Sequence, residues 1–176
     1  MHELLASLRR DHINCGRLIA LVRQQLESSH GTPPEWSLLA RIMRYMVEYG
    51  DLFHHRTEEA LYRRLKDRAG AARVHLEEIA AEHDALGRQA AQCSQFAAAA
   101  PAARDEKEAA LALRAYVDQL EAHMYKEETH LFPLASLLFT PADWRAVEQV
   151  LERKPDPLFD GAVEESYRVV VRHLSM

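Results

Sequence analysis

The chain has few of the residues that cross-link or bend small folds. Its two cysteines, Cys15 and Cys93, are far apart and form no metal-type pair, which favours buried thiols over a disulfide. Only 6 of the 176 residues are glycine, while alanine and leucine are prominent, and this balance favours helices over sheets. With 48% hydrophobic residues, the chain is long enough to bury the core of one domain.

Excess positive charge and long apolar runs are also missing. The formal net charge is −5 and no block of basic residues occurs, so the sequence has no electrostatic footprint for nucleic acid. No basic segment leads into a long apolar run, and no stretch approaches the length of uncharged residues that a membrane span needs. A signal peptide and a membrane span are therefore not expected, and a cytoplasmic location follows by default.

Helical periodicity is present in four long segments. Apolar residues recur at spacings of three and four over residues 2–27, 33–68, 71–96 and 105–138. Thr32 before Pro33 predicts the start of the second helix, the sequence DRAG predicts its end, and Pro101 predicts a linker after the third. Pro133 is expected to kink or end the fourth helix. Short connections between long helices predict an all-α fold, an up-down-up-down four-helix bundle.

The C-terminal part is predicted to form two shorter helices. We expect residues 1–138 to be the bundle and residues 139–176 to be an extension that packs on it. Thr140, Pro141 and Asp143 form a helix-start pattern, and the sequence KPDPLFD separates this helix from a final amphipathic one, GAVEESYRVVVRHL. A run of three valines on that last helix suits packing inside the molecule or against a second copy, so a homodimer stays open.

Histidine is the residue in excess, with 10 copies. Each predicted long helix carries one histidine on its apolar stripe, and two of these are followed one turn later, on the same face, by a glutamate. The six residues are His12, His54, Glu58, His83, His123 and Glu127. A single histidine on an apolar face is usually a core residue. Four at similar depths on four helices predict instead that these side chains meet in the bundle centre.

A pair of divalent metal ions would explain this set, because buried carboxylates without partners cost several kcal/mol each. Four imidazoles and two carboxylates suit iron or manganese, with each glutamate able to bridge two ions, and zinc is not excluded. Such a pair keeps coordination positions for an oxo or hydroxo bridge and for a small ligand. The expected ligand is dioxygen, nitric oxide or peroxide.

These residues resemble the hemerythrin-like HHE cation-binding domain. The matching stretches are DH at 11–12, FHHRTEEALYRRL at 53–65, EHDAL at 82–86 and HMYKEETHLFPLA at 123–135. The sequences YGDLFHHRTEE and DPLFD look like a bacterial branch with a C-terminal helical extension. The resemblance implies a non-haem di-iron site over residues 1–138. In it, the four histidines would be terminal ligands, while Glu58 and Glu127 would bridge.

One position departs from the oxygen-carrying members of that family. Ile79 stands where they have a fifth histidine, four residues before His83, and isoleucine cannot ligate a metal. The remaining set is similar to that of iron–sulfur repair and iron-sensing relatives, although their short cysteine-bearing N-terminal domain is absent from this sequence. His55, beside the ligand stripe, is an additional candidate ligand or a gating residue, and His130 is a weaker one.

Residues beside the presumed ligands have simpler interpretations. Glu59 and Glu128 rotate off the ligand face and are expected to be solvated or to contact a ligand from outside. Cys15, one turn from His12, is interpreted as a core thiol.

Three functions compete for this sequence. The first hypothesis is a di-iron protein that binds or senses dioxygen, nitric oxide or peroxide. The alternatives are an iron storage, delivery or iron–sulfur cluster repair protein, and a structural or regulatory interaction module without metal chemistry. No catalytic turnover follows from these residues.

Overall fold

The structure is a computed structural model that describes residues 2–27, 33–103, 106–151, 155–160 and 163–175. Within these ranges all regular secondary structure is helical. The long helices form an up-down-up-down four-helix bundle, which confirms the predicted all-α fold. None of the described helices combines the length and the apolar character needed to cross a membrane.

The first long helix, α1, spans Glu3–Leu26, as predicted. The N–H of Leu4 donates a hydrogen bond to Nδ1 of His2, which caps the helix at its start. Leucine, isoleucine and valine side chains at helical spacing are buried along one stripe, and His12 lies in that stripe.

The second long helix changes its hydrogen-bond pattern in the middle. Helix α2 (Trp36–Tyr45) passes through π-helical turns (Met46–His54) into α3 (His55–Leu65). The predicted start at Thr32 lies outside the described residues. The chain then leaves the helix at the DRAG sequence, where Gly70 has φ of +54°, a left-handed conformation that favours glycine. The predicted stop is confirmed, whereas the π-helical turns were not predicted.

The third long helix, α4, follows a 3₁₀ turn (Gly70–Ala72) and spans Arg73–Ala103. The prediction that it ends near residue 96, with a linker around Pro101, is wrong. Alanine is the best helix former, and Ala97 and Ala100 are buried on the core side, so the alanine-rich run continues the helix past the expected end.

The fourth long helix consists of α5 (Glu106–Lys126), a π-helical turn (Glu127–Leu131) and α6 (Phe132–Leu138). Pro133 lies in the first turn of α6, where a residue without an amide hydrogen is tolerated. The helix therefore continues beyond the proline, and the change in the backbone is the π turn that precedes it.

Two apolar clusters fill the bundle, one on each side of a polar layer. Along α1, Leu5 and Leu8 belong to one cluster and Leu18 and Ile19 to the other, with His12 between them. The same order recurs on α4 and, in reverse, along the fourth long helix, from α5 to α6. The predicted ligand residues thus form a layer across the middle of the bundle.

The C-terminal residues contact the bundle at two places. Helix α7 (Pro141–Gln149) begins with a reciprocal capping box between Thr140 and Asp143, which confirms the predicted helix start, and it contacts α3. The last helix, α8 (Arg168–Leu174), follows a 3₁₀ turn, contacts α1 and α2, and is shorter than predicted. The division into a bundle and an extension stays a prediction.

Candidate metal centre

The structure brings the six predicted ligand residues together in the polar layer. The four histidines come from the four long helices, and each glutamate lies one turn after a histidine. In both pairs the histidine Nε2 lies 3.1 Å from Oε1 of the glutamate four residues later, His54 to Glu58 and His123 to Glu127. The layer is buried, with Glu58 fully inaccessible to solvent and Glu127 only 1% exposed.

The two oxygens of Glu58 face different pairs of histidines. Oε1 lies 3.1 Å from Nε2 of His54 and 3.4 Å from Nε2 of His12. Oε2 points to the other side of the layer, 3.6 Å from Nε2 of His83. One carboxylate therefore connects the His12 and His54 half of the layer with the half that contains His83.

Glu127 repeats this arrangement in the opposite sense. Its Oε1 lies 3.1 Å from Nε2 of both His83 and His123, and its Oε2 lies 3.4 Å from Nε2 of His12. Donor atoms about 2.1 Å from one ion are separated by about 3 Å when they are adjacent in its coordination sphere. The donor atoms thus have the spacing of two neighbouring cation positions bridged by two carboxylates.

Several of these buried atoms make no hydrogen bond with any described residue. They are Nε2 of His12, Nε2 of His123, both carboxylate oxygens of Glu58 and Oε2 of Glu127. A buried polar atom without a partner costs about 1–3 kcal/mol, and more when it is charged. Within the layer, Nε2 of His83 and Oε1 of Glu127 share a hydrogen bond of 3.1 Å, whereas the atoms just named converge without one. A pair of divalent cations requires nitrogen and carboxylate donors that converge in this way. The residues present therefore fit a dinuclear metal site.

Three further carboxylates hold the histidines from outside. The Nδ1 hydrogens of His54, His123 and His12 are donated to Asp11 (3.1 Å), Glu82 (2.8 Å) and Glu128 (3.0 Å), respectively. Such contacts orient each of these rings with its Nε2 towards the layer, and they keep the proton on Nδ1 when Nε2 binds a cation. Lys126 in turn donates to Glu82 and, at 2.8 Å, to Glu78.

Two of these outer carboxylates were missed by the sequence reasoning. Asp11 and Glu82 directly precede predicted ligand histidines, so the DH and EH dipeptides were the available signal. Each acid bonds to a histidine of another helix and not to its neighbour in sequence: Asp11 accepts from His54, and Glu82 accepts from His123. The sequence predicted that Glu128 is either solvated or in contact with a ligand residue from outside. The structure shows the second arrangement, because Glu128 contacts His12.

The charges in the layer stabilise each other against the effect of burial. Burial alone would lower the pKa of His12, but the carboxylates of Glu127 and Glu58 raise it to about 9. The pKa values of His54 and His123 are raised by the same balance. In return, although burial favours the neutral acids, the imidazoles hold the pKa of Glu127 well below its usual range and that of Glu58 at about 2. Without a bound cation, these pKa shifts favour charged His12, His54 and His123 beside the two carboxylates, at 3.1–3.4 Å, held by charge attraction more than by aligned hydrogen bonds.

The remaining candidates lie in different surroundings. His55 is half-buried, and its ring stacks on that of His83 at 4.5 Å between centroids. His130 is exposed and stacks on His75 at 4.9 Å, away from the layer. Ile79 is buried in the apolar cluster on one side of the layer, as a residue that cannot ligate should be.

A small cavity of about 40 Å³ borders the layer on the side of His12 and His54. Its other walls are mostly apolar, aromatic or sulfur-containing, and include Cys15, Met46 and Tyr49. The Cys15 sulfur lies 3.9 Å from that of Met46, and burial raises the pKa of the thiol to about 12. Cys15 is therefore a neutral thiol in the cavity wall.

Comparison with known families agrees with this geometry. The hemerythrin HHE cation-binding domain matches residues 3–135, a range that contains the whole polar layer. The chain belongs to this family, and its buried histidine and glutamate cluster is a candidate cation site. Comparison with curated proteins and comparison with solved structures gave no match.

Proposed function

We propose that this chain is a non-haem di-iron protein that binds or senses dioxygen, nitric oxide or peroxide. One observation carries the proposal: two buried glutamates each direct their two oxygens at histidines in opposite halves of the layer, and most of these donor atoms have no hydrogen bond. A pair of iron ions supplies, when bound, reversible redox chemistry and open coordination positions. The terminal ligands would be His12, His54, His83 and His123, and Glu58 and Glu127 would bridge.

The donor types favour a transition metal such as iron over magnesium or calcium. The layer offers imidazole and carboxylate groups and no thiolate, since Cys15 keeps its proton at neutral pH. Imidazole suits iron, zinc and copper, whereas an all-oxygen set would suit magnesium or calcium. Manganese and zinc remain the competing ions, and metal analysis distinguishes them.

The cavity favours a small, uncharged ligand. A water molecule needs about 10–15 Å³ of such space, so a cavity of about 40 Å³ holds a diatomic molecule or a peroxide. Its walls include Tyr116, Leu120 and Met124, which offer little stabilisation to an ion and exclude larger ligands. The small volume and the apolar part of these walls therefore favour a small ligand of low polarity.

The direct test is metal content and spectroscopy of the chain loaded anaerobically with ferrous iron. Two bridged positions predict about two iron ions per chain, with near-ultraviolet bands that arise in air and change with nitric oxide. Glu58→Gln should lower the iron content, whereas Glu59→Gln, whose carboxylate faces the exposed Arg63, should not. Zinc or no metal in the loaded wild type would overturn the proposal.

One feature favours a second candidate, iron storage or delivery. A groove of about 680 Å³ reaches Asp11 and His54 from outside, and the carboxylates of Glu3, Asp156 and Asp160 line it together with two arginines. Carboxylates along such a path suit the passage of a hard cation. Release of iron to a chelator within minutes, and its slowing in Glu3→Gln, would favour delivery. Iron that the chain retains for hours in the presence of the chelator would favour the binding or sensing of a small ligand.

A further inference from the structure

We propose that small ligands enter the cavity from the outer groove and that the ring of Tyr49 closes this path, so that Tyr49 sets the size of the ligand that is admitted. The inference rests on the proposed function, because it takes the cavity as the place where the ligand binds. It adds an entry route, and it gives a role to C-terminal residues that lie outside the family match over residues 3–135.

The groove and the cavity share a wall. The groove of about 680 Å³ is lined by α1 and by the C-terminal segment 155–160, and the cavity of about 40 Å³ borders the polar layer. Three residues, Asp11, Tyr49 and His54, line both spaces. A residue that borders two spaces separates them, so these three form the partition between the outer groove and the inner cavity.

Two members of this partition are held in place by the polar layer. Nδ1 of His54 donates a hydrogen bond to Asp11 at 3.1 Å, and Nε2 of His54 lies 3.1 Å from the buried Glu58. Moving either side chain would break these contacts and disturb the proposed ligand set. Tyr49 is half-buried and is not one of the proposed ligands. It is therefore the member of the partition that can move while the layer stays intact.

An aromatic stack on a fixed partner holds Tyr49 in the closed position. Its ring lies on that of Tyr45, with 5.4 Å between centroids and 19° between planes. Tyr45 is 5% exposed, and its hydroxyl donates a 2.8 Å hydrogen bond to Asp156. Asp156 is buried too and also accepts from the N–H groups of Leu158 and Phe159. The segment that lines the groove thus also fixes the ring on which Tyr49 closes.

The backbone at Tyr49 leaves room for the ring to turn. Tyr49 belongs to the π-helical turns (Met46–His54), a form of helix that is frequent at functional sites. The next residue, Gly50, lines the cavity as well. Apart from its chain neighbours and its own helix backbone, no atom of the described residues lies within 4 Å of where a Cβ on Gly50 would be. A change of side-chain rotamer at Tyr49 can therefore open the partition while the helices stay in place.

The first measurement uses the metal-free chain, with the thiol of Cys15 in the cavity wall as the reporter. Methyl methanethiosulfonate, a small uncharged reagent, is added to wild type and variants, and peptide mass spectrometry follows the modification of each cysteine. Tyr49→Ala should speed the reaction of Cys15 roughly tenfold, because the ring no longer closes the path. Cys93, 3% exposed in an apolar cluster, is the internal reference and should keep its rate.

Two matched controls accompany this variant. Tyr49→Phe keeps the ring, and Tyr125→Ala removes a tyrosine that is 70% exposed, so both should modify Cys15 at the wild-type rate. Benzyl methanethiosulfonate, a larger reagent of the same chemistry, tests the size limit. The ratio of the methyl to the benzyl rate at Cys15 should fall roughly tenfold in Tyr49→Ala, since the larger reagent gains most from the open path.

The second measurement follows nitric oxide association with the chain loaded with ferrous iron, by stopped flow. Tyr49→Ala should raise the association rate by a similar factor and leave the iron content unchanged, because Tyr49 is not a proposed ligand. A rate of nitric oxide association that is equal in wild type and Tyr49→Ala would overturn the entry route, even where both chains hold two iron ions.

The outcomes separate this inference from the proposed function. Equal Cys15 rates in wild type and Tyr49→Ala would overturn the role of Tyr49 whatever the metal content. A rise at both Cys15 and Cys93 would overturn it as well, because it would show general loosening of the fold. A rise in Tyr49→Phe as large as in Tyr49→Ala would overturn closure by the ring. A wild type that takes up no iron would overturn the proposed function, and the thiol rates would still decide the entry route.

Discussion

The outer carboxylates determine which nitrogen of His12, His54 and His123 faces the centre of the layer. Asp11 and Glu82 accept the Nδ1 hydrogens of His54 and His123, and each acid belongs to a helix other than that of its histidine. The two sides differ, because Lys126 donates to Glu82 as well and draws part of its negative charge away from His123. The imidazoles on the two sides should therefore differ in basicity.

We predict that Glu82→Gln and Asp11→Asn lower metal affinity 10- to 100-fold without changing the fold, the range typical for such partners of ligand histidines. The amide still accepts a hydrogen bond but no longer supports the positive charge on the ligated ring. Competition with a chromophoric chelator measures the affinity. Glu78→Gln is the control, because Glu78 contacts Lys126 instead of a histidine. Equal affinities in all variants would contradict the role of these acids.

Metal binding should also release protons. With the pKa of His12 raised to about 9, its ring is charged at pH 7 and must lose a proton before Nε2 can bind a cation. We predict release of at least one proton per chain at pH 7 and a metal affinity that rises with pH. Calorimetry in two buffers of different ionisation enthalpy counts the protons.

The direction of the pKa shift of His12 determines the pH range in which it stabilises the fold. A raised pKa stabilises the ion-free fold fully below 6.5, the ordinary value, and this stabilisation is lost as the pH rises through about 9. Proton release from His12 should therefore fade above pH 9. A heat of binding that is the same in both buffers at pH 7 would show that the rings are already neutral.

At the scale of helices, the sequence pattern was sufficient where periodicity alone decides the structure. The four segments and the shared depth of His12, His54, His83 and His123 followed from apolar spacing. The π-helical turns did not, because a sequence shows which residues are apolar but not whether an amide bonds four or five residues back. His55 was therefore placed beside the stripe. Its ring stacks on His83 only because that register changes.

The contacts of the outer carboxylates could not be predicted from the sequence for a different reason. The contact of Asp11 with His54 depends on which helices are neighbours and how they are rotated, and the dipeptide DH contains neither. The end of α4 was misjudged because Pro101 was weighed above the alanines that surround it, whereas burial of Ala97 and Ala100 favours a longer helix.

Helix α7 is held on α3 by one buried carboxylate. Asp143 accepts hydrogen bonds from Arg64 (2.6 Å) and Arg68, and it closes the capping box with Thr140. These contacts, the Arg68 guanidinium first, hold its pKa well below the ordinary 3.8. The stabilisation is therefore present above pH 3.8 and is lost as the pH falls through the lower folded value.

We predict that Asp143→Asn lowers the midpoint of thermal unfolding at pH 7 by a few degrees. The difference between the midpoints of wild type and variant should become smaller at low pH, where the wild-type carboxyl also becomes protonated. Thermal unfolding followed by circular dichroism at several pH values measures both. Asp118→Asn is the control, because its partner Arg23 is shared with Glu121 on an exposed face. A pH-independent difference between wild type and Asp143→Asn would contradict the charge argument.

Across the whole molecule, the polar layer separates two apolar clusters that would otherwise form one continuous core. Ion-free, the layer contains buried donor and acceptor atoms without hydrogen bonds. A cation that satisfies them binds the folded chain alone, because the unfolded chain does not hold the six groups together. The fold and the metal site should therefore stabilise each other.

We predict that loading with ferrous iron raises the unfolding midpoint by roughly 8–16 °C when free metal exceeds the dissociation constant about 1,000-fold. That excess raises the free energy of unfolding by about 4 kcal/mol, and each kcal/mol raises the unfolding midpoint of a chain of this size by about 2–4 °C. A chelator should reverse the shift. The double variant Glu58→Gln/Glu127→Gln should melt at one temperature with or without metal, because it has lost both carboxylates that we propose as bridges. A wild-type midpoint that iron and chelator leave unchanged would mean that the layer does not bind metal in the folded chain, since binding to the native state alone must raise its stability.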